Sequence, residues 1–358
     1  MRSEVALSAG GNEASDLLTV RSPGLLAAHG AQRAFWTVLD EGPVEECLAL
    51  LVQRTGGEWV AHHRAVDGGA ESGRTEDGEA LAHRAGWVYV VGSHFGSKRG
   101  PLRARRAFIA RFREDDAAAD GPQLHVVRNK FRLHRVLNDA LRAADLDLLP
   151  PGRGVRERFI IETIRRGLAK GKSWVSRLDP GDWPLNVEAA AWTPHGTLLF
   201  GLRYPVAADG APIVVELADV EGMFEEPARW PRAVGVYTVT GITPPGRLTG
   251  FRALVDRPGG GYDAVVGSID ALDKSSAVLD DHPDGGEVHC RHVRFALPSP
   301  AEPADADGPR PAVRCAAVPG ELVADLAPLH HVEGLAESDG VRYYVTDEDH
   351  RIALLIDD

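Results

Sequence analysis

Hydrophobic and polar positions along this 358-residue chain alternate in short β-type runs, and three stretches of the alternation are copies of one another. Asp77-Gly78-Glu79-Ala80-Leu81-Ala82 leads into Trp87-Val88-Tyr89-Val90-Val91-Gly92-Ser93-His94. Asn186-Val187-Glu188-Ala189-Ala190-Ala191 leads into Thr197-Leu198-Leu199-Phe200-Gly201-Leu202-Arg203, and His331-Val332-Glu333-Gly334-Leu335-Ala336 into Arg342-Tyr343-Tyr344-Val345-Thr346-Asp347-Glu348. After each glutamate an alanine comes three residues on, and a glycine (Gly86, Gly196 or Gly340) seven or eight on. The grammar is strand, tight turn, strand. A hairpin cannot bury both of its faces alone, so repeated hairpins must stack into a propeller or solenoid. Two weaker copies extend the series, Gly24-Leu25-Leu26-Ala27 with Ala34 to Glu41, and Leu248 to Leu254 with Tyr262 to Ser268 around a glycine-rich turn. Counting back from Ala253 puts Gly250 at the glutamate position, so that copy lacks a carboxylate. The expected fold is all-β, a single β-propeller domain over residues 1–358 with five to seven blades. Its N-terminal strand Glu4-Val5-Ala6-Leu7 should close the last blade beside Arg351 to Leu355, which removes two open sheet edges.

One region breaks the period of two. From Phe131 to Leu149 the apolar residues Leu133, Val136, Leu137, Leu141 and Leu148 fall at mostly helical spacings, and Pro150-Pro151 ends the run. Val155 to Leu168 reads as a second helix or a strand. Residues 131–170 are therefore expected to be a partly helical insertion between blades, its apolar stripe packed on the propeller.

Composition narrows the class. Apolar residues make up 44% of the chain, enough for a large core, and 39 glycines with 24 prolines suit a turn-rich all-β protein. A formal net charge of −12 repels phosphate backbones and anionic lipid, which argues against nucleic acid or a membrane surface as partner. With no apolar run near ~18 residues and a polar start, the chain reads as cytoplasmic. The three cysteines, Cys47, Cys290 and Cys315, have no CxxC spacing, so neither a disulfide framework nor a zinc ribbon is expected.

The placement of the glutamates points to a site. In a propeller the first strand of each blade lines the centre and the second runs antiparallel beside it, so the start of one and the end of the other share a rim. Glu79 should then neighbour Ser93 and His94, Glu188 should neighbour Arg203, and Glu333 should neighbour Asp347 and Glu348, with Asp40, Glu41 and Ser268 completing the ring. Unit charges ~8 Å apart interact by about 2 kcal/mol at an effective dielectric near 20, so bare glutamates facing one channel oppose folding. They need protons, arginine partners, backbone N–H donors or a cation. Calcium or magnesium would suit oxygen ligands from Glu79, Glu188, Glu333, Asn186 and Asp347. Alternatively, each glutamate is a latch that bonds its own or the next blade. The basic loop Ser97 to Arg106, with Lys98 and Arg99, reaches the same rim and could hold an anionic group.

Gly171-Lys172-Ser173 lacks the earlier glycine of a phosphate-binding loop, and GxSxG, GxGxxG and HExxH patterns are absent. The pairs Val187 to Ala191 with Leu199 to Pro205, and Gly78 to Ala82 with Tyr89 to His94, resemble a bacterial propeller family known as domain-of-unknown-function family 3616. That family in turn resembles the esterase-like phytases. The resemblance implies a propeller with phosphoester or ester hydrolysis at a carboxylate-lined mouth. Ala189 departs from the family's glycine after the glutamate, and Leu202 from its aromatic. Two functions remain open at this point. One is a metal-dependent hydrolase with Glu79, His94 and Glu188 as catalytic groups and Arg203, Lys98 and Arg99 holding an anionic substrate. The other is a non-catalytic propeller that binds a small anionic molecule or a protein partner.

Overall fold

A computed structural model describes residues 2–9, 13–39, 42–97, 99–118, 121–271, 276–298, 313–348 and 351–357. Strand β1 (Arg2–Leu7) precedes a meander of β2 (Ala14–Thr19), β3 (Ala31–Leu39), β4 (Leu48–Arg54) and β5 (Trp59–Arg64). A second meander is β6 (Gly78–Arg84), β7 (Trp87–Gly92), β8 (Phe108–Arg113) and β9 (His125–Arg128). A third is β10 (Asn186–Trp192), β11 (Leu198–Tyr204), β12 (Ile213–Ala218) and β13 (Arg232–Thr240), and a fourth begins with β14 (Gly250–Asp256), β15 (Tyr262–Gly267) and β16 (Arg291–Phe295). Then come β17 (Arg314–Pro319) and β18 (Glu321–Asp325), and finally β19 (Val332–Ser338), β20 (Val341–Glu348) and β21 (Arg351–Asp357).

These strands form five small sheets among the described residues. The hairpins at 77–94 and 186–203 belong to different sheets, and β1 pairs antiparallel with β21, Glu4 opposite Leu355 and Leu7 opposite Ile352. The segment after residue 312 straps two neighbours together: β17 adds in parallel to β13 at the edge of the third sheet, and β18 adds to β16 at the edge of the fourth. The innermost strands β2, β6, β10, β14 and β19 touch in succession, and β19 touches β2, so the ring closes. The architecture is all-β and consistent with a propeller.

The glycines that punctuate the repeats take the turn conformations they were read for. Ala85-Gly86 and Asp339-Gly340 are two-residue hairpin loops with positive φ at both positions, and Gly196 has a φ of 87°. The alternating apolar residues then pack sheet face on sheet face. One buried cluster joins Phe35, Trp36 and Leu50 to Val90 and Phe108 on one side and to Val345 and Leu354 on the other. Others join β7 to β10 and β11, β11 and β12 to β14 and β15, and β14 and β15 to β19 and β20.

The weak copy at Gly24 is not a strand. Pro23–Ala28 is helix α1, because Ser22 accepts the Leu25 N–H at 3.2 Å and Pro23 presets the first turn. The innermost strand of that sheet lies earlier, at β2. Between β9 and β10 the chain is helical: α2 (Arg132–Ala143), α3 (Arg153–Val155), a π-helical turn at Arg156–Ile161 and α4 (Glu162–Ala169). Leu133, Leu137 and Leu141 of α2 join the buried cluster formed by β7, β10, β11 and β12, and the helix lies against β13. Phe159 and Ile160 of the π turn join Tyr204, the last residue of β11, and Phe95, Leu102 and Ile269, which follow β7 and β15. This segment therefore covers the end of the ring at which the innermost strands begin. The helices α5 (Gly222–Glu225) and α6 (Ala277–Asp281) complete the set, and Asp281 of α6 accepts the Val155 N–H at 2.8 Å. No helix among the described residues is long and apolar enough to cross a membrane.

Candidate functional site

Every innermost strand carries a register shift near its start. The extra residue is Glu79 in β6, Glu188 in β10, Arg252 in β14 and Glu333 in β19, while in β2 Asp16 and Leu17 share the position opposite Thr37. A β-bulge leaves one residue outside the ladder and re-aims its side chain, so the repeat presents one bulged position per sheet. Three are glutamates, as the sequence indicates. The fourth is Arg252 rather than Gly250, a correction: Arg252-Ala253-Leu254 aligns with Glu79-Ala80-Leu81, and counting back from Ala253 as if it were the later alanine misplaces the register by two.

Contacts at or beside these positions link each sheet to the next. Asp16, only 2% exposed, accepts the backbone N–H of Leu17 at 2.7 Å and of Leu81, in the neighbouring sheet, at 2.6 Å. Val187 N donates to Ser93 O at 2.9 Å, and Arg203 Nε donates to Ser268 O at 3.1 Å. Arg252 donates to Glu333. Gly334 lies so close to Asp16 that a Cβ there would come within 2.6 Å of the Asp16 carbonyl carbon. At Gly250 a Cβ would meet the Arg203 carbonyl oxygen at 2.2 Å. Glycine is the residue that permits each approach.

Charge compensation comes largely from arginine. Glu188 Oε1 accepts from Arg203 Nη1 at 2.9 Å and from Asn186 Nδ2 at 2.8 Å. Burial alone would push the Glu188 carboxyl up, but Arg203 and then Arg252 hold it below the usual carboxylate range. Burial likewise works against the Arg203 charge, and Glu188, Glu333 and Asp270 together raise its pKa. Burial pushes Asp270 up, and its carboxylate accepts from Ser276 and from Ala271 N. Burial raises Asp16 to about 7, against the opposing pull of its two backbone donors. Among the described residues no group of three or more His, Cys, Asp or Glu side chains is placed to hold a metal ion. Glu188 and Glu333 face guanidinium groups, and Asp16 faces backbone N–H groups.

The remaining expected site residues divide. Glu79 is half-buried, and its charge reaches Arg106, which also pairs with Asp77 at 2.7 Å and Glu76 at 3.2 Å. His94 is close to Glu79 in the chain but is not an open acid or base. It is 1% exposed, its Nδ1 donates to Gly92 O at 2.7 Å, and its Nε2 accepts from Asn129 Nδ2 at 2.9 Å. Burial lowers its pKa to about 4, so the ring is neutral and both nitrogens are engaged. Arg99 lines a surface cleft of about 200 Å³ with Arg158, Arg165, Arg166, Glu157 and Glu162 of the helical segment, and neither Glu188 nor Arg203 is part of its lining. Lys98 lies outside the described residues, as do Asp40 and Glu41. Asp347 pairs through its backbone with Ile352, and its side chain is outside the described set.

Arg252 was not anticipated and is the most informative residue at this end of the ring. It is 1% exposed, and its Nε and Nη1 have no hydrogen-bond partner among the described residues. Asn186 Oδ1, on a side chain 5% exposed, is also unpartnered.

No family model matches the chain, and no curated protein matches it. Among solved structures it is similar to a GH43 β-1,3-galactosidase bound to galactodeoxynojirimycin, at 12% identity over 98% of this chain and 94% of that one, with a TM-score of 0.43. It is also similar to an exo-1,5-α-L-arabinanase from a bovine ruminal metagenomic library, at 10% identity over 98% and 94%, TM-score 0.41. A glucose dehydrogenase aligns at 12% identity over 99% and 98%, TM-score 0.37. Such distant likenesses carry no argument about activity, and the fold rests on the sheets themselves.

Proposed function

We propose that the chain is a five-bladed β-propeller that binds a small anionic molecule where its innermost strands begin, with Arg252 receiving the negative charge. The observation that carries this is the buried Arg252 guanidinium with two unspent nitrogens. A buried donor left unpaired costs about 1–3 kcal/mol, which an incoming acceptor would recover. The helical segment over the same end shields the site from water and strengthens any such contact. Hydrolysis of an ester or phosphoester is the second reading, and it is favoured by Glu79, the half-buried carboxylate of the ring. His94, neutral and 1% exposed, and Glu188, 5% exposed, are poorer choices for acid or base because neither reaches solvent.

Thermal melts with millimolar acetate, sulfate and inorganic phosphate test the binding. At least one anion should raise the melting temperature saturably, since a ligand that binds only the native state stabilises it by mass action. Arg252→Lys should keep part of the effect and Arg252→Gln should remove it. An unchanged effect in Arg252→Gln, or no effect of any anion on the wild type, overturns the proposal. Turnover of phosphomonoesters or lactones that disappears in Glu79→Gln would favour the hydrolase instead.

A further inference from the structure

The chemistry around Arg252 narrows the ligand, on the footing that this is the binding site. Arg252 and Asn186 both flank Glu188. Asn186 bonds it at 2.8 Å, and Arg252 is near enough to stabilise its charge. The amide of Asn186 has its orientation set by that bond: Nδ2 must face the carboxylate, so Oδ1 is the acceptor left over on the other side of the amide. Beside Glu188, Arg252 thus offers unspent N–H donors and Asn186 an unspent neutral acceptor.

Charge sets a further limit. The two guanidinium groups, Arg203 and Arg252, are matched by Glu188 and Glu333, to which they are bonded. Glu79 is a further carboxylate on the same ring. A dianion would meet these carboxylates with only the already shared arginines to offset it, whereas a monoanion needs one free guanidinium face. At Asn186 Oδ1 the donor must be neutral as well, because an ammonium would be placed beside two arginines.

We infer that the ligand is a hydroxy-substituted monocarboxylate whose carboxylate is received by Arg252 and whose hydroxyl donates to Asn186 Oδ1. Neither contact requires a change in the bonds already made by Glu188 or Glu333.

Matched pairs of probes separate this inference from the binding site on which it rests. Calorimetry with glycolate against acetate, lactate against propionate, and 2-hydroxybutyrate against butyrate compares acids with and without the hydroxyl. The hydroxy acids should bind about tenfold more tightly, the net value of one hydrogen bond to a neutral group. Asn186→Ala should weaken the hydroxy acids about tenfold more than their partners, and Arg252→Lys should weaken both members of each pair alike. Circular dichroism and melting temperature establish that each variant is folded. If acids with and without the hydroxyl bind equally in every pair, or the preference survives Asn186→Ala, the inference fails while anion binding at Arg252 stands. Failure of all six acids to bind would remove both.

Discussion

Replacing Glu188 by glutamine removes one negative charge and little else, and its consequence can be worked from the structure. Glu188 is 5% exposed and Arg203 7%, and the carboxylate is bonded both to that guanidinium and to Asn186. Glutamine retains an acceptor oxygen but leaves Arg203 buried without its counter-charge and weakens the field on Arg252. Breaking one side of a buried ion pair costs about 3–5 kcal/mol. A chain of 358 residues, at about 2.1 cal/mol/K per residue, unfolds with an entropy of about 0.75 kcal/mol/K, so the melting temperature should fall by about 4–7 °C at neutral pH. The folded-state pKa of Glu188 lies below its ordinary value of 4.5. Its contribution is therefore present at pH values above that ordinary value and is lost as pH falls through the folded pKa, so wild type and variant should converge in acid. Urea melts at pH 7 and at successively lower pH below 4.5 measure both effects. The pair is further isolated by Arg203→Leu and the double variant, which should be less destabilised than the sum of the singles. A Glu188→Gln protein as stable as wild type at pH 7, or additive single effects, would refute the assignment of Glu188 as a charge-compensating latch.

Asp16→Asn can satisfy only one of the two N–H groups of Leu17 and Leu81 and should cost about 1–3 kcal/mol. Because burial raises the folded pKa of Asp16 to about 7, its share of stability is largest below the unfolded value of 3.8 and declines as pH rises towards 7. Denaturation across pH 4–8 should show a flatter profile in the variant, and an unaltered slope would count against the raised pKa. Deleting residues 1–9 strips β1 from β21 and bares an edge strand, so the shortened protein should melt lower and associate at high concentration by light scattering. A monomeric product with the wild-type melting temperature would show that closure by β1 contributes little.

Much of the architecture was legible along the chain, because alternation of period two and a turn glycine at a constant offset are local signals. Gly86, Gly196 and Gly340 mark their hairpins, and the termini pair as the open edges demanded. The helix from Arg132 announced itself by apolar spacing. The strand read at Gly24 did not exist, since Ser22 and Pro23 form a helix start that outweighs a short apolar run. Of the site, Glu188 beside Arg203 followed from hairpin geometry. His94 was placed on the right hairpin but given the wrong environment, because its partner Asn129 is 35 residues away and its burial comes partly from Phe200 of another sheet.

The chain alone determined the repeat, the sheet type and the identity of three bulged glutamates, since each depends on neighbours within about fifteen residues. Tertiary structure alone decided what those glutamates do. Glu333 meets Arg252 of the neighbouring sheet across 81 residues, whereas Glu188 meets Arg203 of its own sheet, and at the matching position of β2 Asp16 meets the backbone N–H of Leu81 across 65. A carboxylate behaves as a latch, an acid or a ligand according to the charge and burial around it, and in a closed ring of sheets both are set by strands that are distant in the chain and adjacent only after the ring has closed.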